Sequence, residues 1–166
     1  MQYGLCYLSV VALRSEASDS SELVSQVIYG EHFKVLEHRK SWSRIRLGFD
    51  NYEGWIDNKQ FQFIEELDYK HLHKSPPSMA MDLVDFISNQ EQQLHPILLG
   101  STLNGLTCLN HTFEGVESVG NKVKSKLIET ALLYLNTPYL WGGKTPFGID
   151  CSGFVQMVYK LNGFKV

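Results

Sequence analysis

The first third of the chain alternates short hydrophobic and polar runs in the way that β-strands do. Residues 24–28 and 43–47 place apolar side chains at every second position, which is the period of a half-buried strand. Turn-forming residues separate these runs, as they do in successive short strands. Strands are predicted over residues 7–13, 24–29, 33–36, 42–47 and 52–56. Such a series of short strands predicts a small β-barrel over residues 1–64.

The middle of the chain is less regular. Residues 65–78 form a polar, proline-containing stretch, which predicts an exposed linker. Two apolar runs follow it, at 81–87 and 96–99, with Gly and Asn turns between and after them. They predict a second, shortened β-unit over residues 79–118. Residues 79–87 fit a helix equally well.

A helical period begins near residue 121. Apolar side chains recur there at spacings of four, four and three residues, at Val123, Leu127, Ala131 and Tyr134. This spacing predicts a helix over 121–135, and a second helical pattern begins at Cys151. Barrel units followed by helices predict an α+β fold in which residues 119–166 form a separate C-terminal unit.

Composition narrows the class of protein. The chain has 166 residues, of which 43% are hydrophobic and 20% charged, as in ordinary globular domains. A net charge of -3 argues against a nucleic-acid partner. Three cysteines without CxxC spacing argue against a disulfide framework or a zinc site, and we expect neither metal nor cofactor. With no apolar run of membrane-spanning length and no export signal at its start, the sequence predicts a soluble, cytoplasmic protein without a membrane partner.

Cys151 has the strongest chemical signal. It begins the second helix, where unpaired N–H groups and a partial positive charge lower the pKa of a cysteine thiol and favour the nucleophilic thiolate. Gly148 permits a tight turn into this helix. The small residues Ser152 and Gly153 leave the N–H groups of the first turn open to hold an oxyanion. The sequence therefore predicts a catalytic nucleophile at Cys151.

Asp150 places a negative charge beside this thiol. Like charges raise each other's pKa unless a cation offsets them, and the cation could be a substrate's free amino terminus or Lys144. Asp150 could also be the N-cap of the helix, accepting a hydrogen bond from an N–H two or three residues further on. The two roles are compatible.

Two parts of the sequence resemble known families. The C-terminal run resembles the active-site entrance of NlpC-type peptidases, at Pro138-Tyr139, Trp141-Gly142-Gly143, Pro146, Gly148 and Asp150-Cys151-Ser152-Gly153-Phe154. These are papain-like cysteine enzymes that cleave peptidoglycan stem peptides. The N-terminal part resembles a bacterial SH3-like domain, at Leu13-Arg14-Ser15-Glu16, Val24-Ser25-Gln26, Gly30-Glu31, Trp42-Ser43-Arg44-Ile45 and Tyr52-Glu53-Gly54-Trp55-Ile56. Together they resemble the dipeptidyl-peptidase VI branch, which cuts murein peptides with a free N-terminal L-alanine between γ-D-glutamate and a diamino acid.

This resemblance implies roles for particular residues. Cys151 would be the nucleophile, and its N–H and the hydroxyl of Tyr139 would hold the oxyanion. The amino end of a murein peptide would be bound or enclosed by Asp150, Ser152, Glu16 and Tyr52.

The same resemblance raises a question about the catalytic base. In this family a histidine follows the cysteine by some tens of residues, whereas here the sequence stops 15 residues after Cys151 and all six histidines precede it. We therefore expect only part of the papain-like domain, inactive alone, from a protein that recycles wall peptides. A non-catalytic SH3-like module that binds wall peptides or another protein is the alternative. An acyltransferase or amidase that uses the same thiol is a third reading.

Overall fold

The computed structural model describes residues 1–165, and its N-terminal part is a sheet of seven antiparallel strands. In chain order these are β1 (Gln2–Leu5), β2 (Val10–Arg14), β3 (Leu23–Ile28), β4 (His32–His38), β5 (Trp42–Leu47), β6 (Glu53–Asp57) and β7 (Gln62–Ile64). Across the sheet their order is β3-β2-β6-β5-β4-β1-β7. Five of these strands overlap the predicted ones, whereas β1 and β7 were missed.

The alternating sequence pattern accounts for the core of this sheet. In β5 the side chains of Ser43, Ile45 and Leu47 are buried, and Arg44 between them is exposed. Buried side chains from β2 to β6 meet in one cluster, so the sheet curls around a single core. The predicted series of short strands is thereby confirmed, but a closed barrel is not: β3 and β7 are the two edges of an open sheet.

The strand β3 is covered on both sides. Val27 lies in the core of the curled sheet, while its neighbour Ile28 packs in a second cluster with Met79 and Met157 from later in the chain. The alternating pattern predicts a strand with one buried face and one solvent-exposed face here. At Ile28 the outer face is buried instead, because the C-terminal half of the chain packs against it, whereas residues 23–26 are only partly buried.

Residues 65–78 are not a simple linker. They contain the helix α1 (Glu66–Lys74), on which Tyr69 and Leu72 are buried, three positions apart on one face. The ring of Tyr69 stacks on that of Tyr3, with 4.3 Å between the ring centroids. Packing against the sheet thus stabilises a helix whose sequence is mostly polar.

Residues 79–118 form two small sheets. Their elements are β8 (Met79–Ala80), β9 (Val84–Ser88), β10 (Leu94–Leu98), α2 (Leu106–Leu109), β11 (Thr112–Phe113) and β12 (Glu117–Ser118). Strand β9 pairs with β10 and β11, and β8 pairs with β12. The helical reading of 79–87 is therefore wrong. That this segment is a shortened SH3-like domain, with these boundaries, stays a proposal.

The C-terminal part contains α3 (Lys126–Leu132), the short strands β13 (Lys144–Thr145) and β14 (Gly148–Ile149), and α4 (Cys151–Leu161). Helix α3 is shorter than predicted, because both its ends are wound into turns with i to i+3 hydrogen bonds. Helices and sheets together confirm the α+β class. Within residues 1–165, no helix has the length and apolar character needed to cross a membrane.

Candidate functional site

Helix α4 begins at Cys151, and Asp150 is its N-cap. Asp150 has an extended backbone conformation, and its Oδ1 accepts a hydrogen bond from the N–H of Gly153 at 2.7 Å. This confirms the predicted capping role. The side chain of Cys151 is exposed at the mouth of the helix, where the helix dipole favours an anion.

The carboxylate of Asp150 is held by further donors. Its Oδ1 also accepts from the hydroxyl of Ser152 at 2.8 Å, and its Oδ2 accepts from the N–H of Gly142 at 2.9 Å. Partial burial works to raise the pKa of Asp150, but hydrogen bonds from Gly153, Ser152 and Gly142 outweigh it and hold the pKa below its usual range. A negative charge is therefore fixed beside the thiol.

The loop before α4 is closed on itself by backbone hydrogen bonds. Leu140 donates to the carbonyl of Ile149 at 3.1 Å, and Asp150 donates to that of Gly143 at the same distance. Tyr139 pairs with Ile149, two residues before Cys151, and remains 68% exposed. The loop thus presents an exposed tyrosine beside the strand that leads into the nucleophile.

Gly153 has a different role from the predicted one. A Cβ atom at this position would lie 2.3 Å from the carbonyl oxygen of Gly143, so glycine is needed for the loop to pack on the helix. Its N–H is bonded to Asp150 and is not open to a substrate carbonyl. The backbone N–H of Ser152 is also directed to the carboxylate of Asp150. Among the predicted oxyanion donors, this leaves the N–H of Cys151 and the hydroxyl of Tyr139.

A cleft separates this helix start from the SH3-like sheet. Asp150 and Ser152 line one wall, and Tyr52, after the turn between β5 and β6, lines the other. The structure therefore brings three of the predicted substrate-binding residues together. Glu16 lies in the exposed serine-rich loop and is not among the residues that line the cleft, so its role stays a prediction.

Two further polar residues of the cleft were missed by sequence reasoning. Gln156 of α4 donates from Nε2 to Oδ2 of Asp50 at 2.6 Å, across the cleft. The other oxygen of Asp50 accepts from the backbone N–H of Tyr52 at 2.9 Å. The sequence identifies Asp50 only as a turn residue two positions before Tyr52. That this turn faces α4 depends on contacts far apart in the chain.

Comparison with known proteins gives this arrangement a family context. Residues 13–61 match the bacterial dipeptidyl-peptidase SH3 domain, and residues 136–166 match the NlpC/P60 family. The chain combines an SH3-like domain with a segment of an NlpC/P60 domain. The resemblance predicted from the sequence is confirmed.

Relatives and solved structures agree with these matches. The chain is 26% identical to dipeptidyl-peptidase 6 of Lysinibacillus sphaericus over 91% of its own length and 66% of the relative. It is 25% identical to the γ-D-glutamyl-L-lysine dipeptidyl-peptidase of Bacillus subtilis (strain 168), over 86% of this chain and 54% of the relative. The chain therefore spans between half and two thirds of these relatives. An NlpC/P60 family protein from Bacillus cereus ATCC 10987 shares the fold, with a TM-score of 0.74 at 15% identity over 99% of this chain and 73% of the other.

In the NlpC/P60 segment, Lys144 pairs with Glu31 and is not the cation that offsets the charge of Asp150. Its Nζ lies 3.1 Å from both carboxylate oxygens of Glu31, in the turn between β3 and β4, and all three groups of the cluster Glu31, Lys144 and Lys160 are buried. The Nζ of Lys160 lies 2.9 Å from Oε1 of Glu31. Burial works to raise the pKa of Glu31, but the two ammonium groups outweigh it and lower the pKa to about 2. The substrate's amino terminus remains as the predicted cation for Asp150.

The histidines of the chain lie outside this cleft in the part that the structure describes. His73 of α1 points toward His32, with 3.3 Å between their ring nitrogens, and His111 is bonded to the hydroxyl of Tyr29 at 2.9 Å. Residues 1–165 hold no group of three His, Cys, Asp or Glu side chains arranged to bind a metal ion.

Proposed function

We propose that the whole protein is a cysteine peptidase that cuts the γ-D-glutamyl to diamino-acid bond of murein stem peptides with a free N-terminal L-alanine. One observation carries the proposal: the exposed Cys151 stands between Asp150 and Ser152, which line a cleft that also contains a second carboxylate, that of Asp50. An ammonium group is the natural partner of such a pair of carboxylates. The names of the two dipeptidyl-peptidase relatives support the same substrate class.

The chemistry follows from the positions of these groups. The thiolate of Cys151 attacks the γ-carbonyl carbon, and the resulting oxyanion accepts hydrogen bonds from the N–H of Cys151 and the hydroxyl of Tyr139. Collapse of this intermediate breaks the amide bond, and the departing amine of the diamino acid takes a proton from a histidine. Water then hydrolyses the thioester and releases L-Ala-γ-D-Glu.

This chain alone should not complete that cycle. A general base must approach within hydrogen-bonding distance of the thiol, and in residues 1–165 no histidine lines the cleft. We propose that the chain binds the peptide without cleaving it, and that the whole protein supplies the histidine. We also propose that the whole protein acts in the cytoplasm on recycled wall fragments. Cell fractionation, with an antibody against the chain to detect the protein in each fraction, tests this location.

Calorimetry tests the proposed amino-end site. The chain is titrated with L-Ala-γ-D-Glu-L-Lys and with the same peptide acetylated at its N-terminus. We expect acetylation to weaken binding about 10-fold to 100-fold, since a hydrogen bond to a charged group contributes about 1.5–3 kcal/mol. Asp150→Asn and Asp50→Asn should each lose most of this discrimination, and Asp82→Asn, an exposed control outside the cleft, should retain it. Equal binding of the two peptides would contradict the site.

The nucleophile is tested separately in the whole protein. Mass spectrometry follows release of L-Ala-γ-D-Glu from the tripeptide by the wild type, Cys151→Ala and the control Cys108→Ala. We expect Cys151→Ala alone to abolish release. Equal cleavage by all three would remove Cys151 from the mechanism, and release by the 166-residue chain would contradict its proposed inactivity.

A non-catalytic binding module is the second candidate. The observation that favours it is the same cleft without a histidine in the described residues. Peptide binding together with no hydrolysis by the whole protein would support this candidate against the peptidase.

A further inference from the structure

A second cavity lies at the other end of α4. Its lining includes His32, Phe49, His73, Lys160 and Lys165. Lys160 follows Cys151 by nine positions on the helix, which at 1.5 Å per residue places the two about 13 Å apart. The residues that line this cavity and those that line the cleft beside Cys151 are entirely different.

Positive charge is in excess around this cavity. The side chains of Lys160 and Lys144 are only 1% and 3% exposed, and both share the single carboxylate of Glu31. Of these two lysines only Lys160 lines the cavity, together with Lys165, whereas Lys144 lines the cleft beside Cys151. Asp50 is a second negative charge that acts on Lys160. The whole chain has a net charge of -3, so the local excess of positive charge is opposite in sign to the charge of the chain.

The buried ammonium groups have hydrogen-bonding capacity to spare. Each carries three N–H donors, and in residues 1–165 their side chains donate only to Glu31. Burial, followed by the opposing effect of Glu31 and repulsion by Lys144, leaves the pKa of Lys160 below its usual range. A buried cation with unused donors is stabilised by a further anion.

The remaining lining suits a small ligand with a charged head. Leu47, Leu72, Phe49 and Pro77 supply apolar surface, and the ring of Phe49 lies 5.2 Å from Nζ of Lys160. Ser75 and Asn104 add polar side chains at the same cavity. Sites of this kind combine apolar surface with a few polar groups that orient the ligand.

We propose that this cavity binds a small oxyanion, a carboxylate or a phosphate group, with Lys160 and Lys165 as its main partners. The site is independent of the proposed peptidase function. It lies at the end of α4 remote from Cys151, and its ligand need not be the peptide that enters the cleft.

Nuclear magnetic resonance can test this at the millimolar affinities expected of small ions. The chain is titrated at constant ionic strength with methyl phosphate, with acetate and with the neutral acetamide, and the ring signals of His32 and His73 report on the cavity. We expect saturable shifts with at least one anion and none with acetamide. Stronger binding of methyl phosphate assigns the head group as phosphate, and stronger binding of acetate assigns it as carboxylate. No saturation by about 10 mM, or equal shifts with acetamide, overturns the proposal.

Variants locate the bound anion. Lys165→Gln, at an exposed position, should weaken binding about threefold to tenfold without loss of folding, and Lys160→Met should abolish it. Lys124→Gln removes an exposed lysine outside the cavity and should change the dissociation constant by less than about twofold. Equal weakening by Lys165→Gln and Lys124→Gln would show general electrostatic attraction and overturn the assignment. Peptide binding at the cleft is measured in parallel for each variant of this chain, and cleavage for the same variants of the whole protein. Loss of anion binding with unchanged peptide binding and cleavage separates the two sites.

Discussion

Replacement of Glu31 by Gln should destabilise the protein more than any other single loss of charge on the SH3-like sheet. The carboxylate is 5% exposed and is the shared partner of two buried lysines, from the loop before α4 and from its last turn. Glutamine keeps the shape of the side chain but leaves both ammonium groups without an anion. Breaking a buried ion pair by removing one partner costs about 3–5 kcal/mol.

The pKa of Glu31 gives a similar magnitude. Its value of about 2, against 4.5 for an unperturbed carboxyl, corresponds to about 3 kcal/mol of interaction in favour of the charged form. The pKa of Lys160 is lowered, which disfavours its charged form, because desolvation and repulsion from Lys144 outweigh the attraction of Glu31. The stability of the cluster therefore depends on the single carboxylate of Glu31, whereas only one of the two ammonium groups is needed to neutralise it.

Urea unfolding at pH 7, followed by tryptophan fluorescence, measures these effects. We expect Glu31→Gln to lower the free energy of unfolding by about 3–5 kcal/mol. Lys160→Met leaves a one-to-one pair of Glu31 and Lys144, so it should cost only about 1 kcal/mol, as an ordinary single substitution does. The control is Glu53→Gln, whose partner Arg46 lies 2.6 Å away in an exposed pair, for which about 0.2–1 kcal/mol is expected. A loss for Glu31→Gln no greater than that for the control, or an equal loss for Lys160→Met, would refute the reasoning.

Three further predictions follow from local contacts. Burial, followed by repulsion from His73, lowers the pKa of His32 to about 4 from an ordinary 6.5, so the free energy of unfolding should fall as the pH drops from about 6.5 to about 4. Urea unfolding across this window should show a smaller fall in His32→Gln. The exposed control His71→Gln should show the same fall as the wild type. Iodoacetamide mapped by mass spectrometry should modify exposed Cys151 before Cys6, whose pKa burial raises to about 12, and before Cys108, whose pKa burial also raises; similar rates at all three would contradict this. Gly153→Ala should lower the free energy of unfolding by about 1–3 kcal/mol through the clash with Gly143, and Val155→Ala, at a half-exposed position of the same helix, should cost less; equal losses would argue against the clash.

Local patterns in the sequence predict much of this fold. The strands β2 to β6 follow from alternation and turn residues, and the start of α4 follows from Asp150 and the loop before it. Helix α1 was missed because its apolar signal is limited to a few positions among charged residues, and two prolines follow it closely. Its stability comes from contacts such as Tyr69 with Tyr3, which no local window contains.

The candidate site also has one part that could be predicted from neighbouring residues and one that could not. Asp150, Cys151 and Ser152 are neighbours in sequence, so the geometry of the helix start could be predicted from these residues alone. The opposite wall could not, because Asp50 meets Gln156 across 106 positions of the chain.

Which turn of the SH3-like sheet faces the nucleophile depends on how that sheet docks on α4. Glu31 joins the sheet to the segments at the two ends of α4, through Lys144 before the helix and Lys160 in its last turn, over 113 and 129 positions. In the sequence Glu31 is one charged residue in a turn and gives no sign of burial. Because two lysines in a rigid segment converge on one carboxylate, the sheet has little freedom to rotate about α4. The turn with Asp50 and Tyr52 is then held against the start of the helix, and the serine-rich loop with Glu16 is left exposed to solvent.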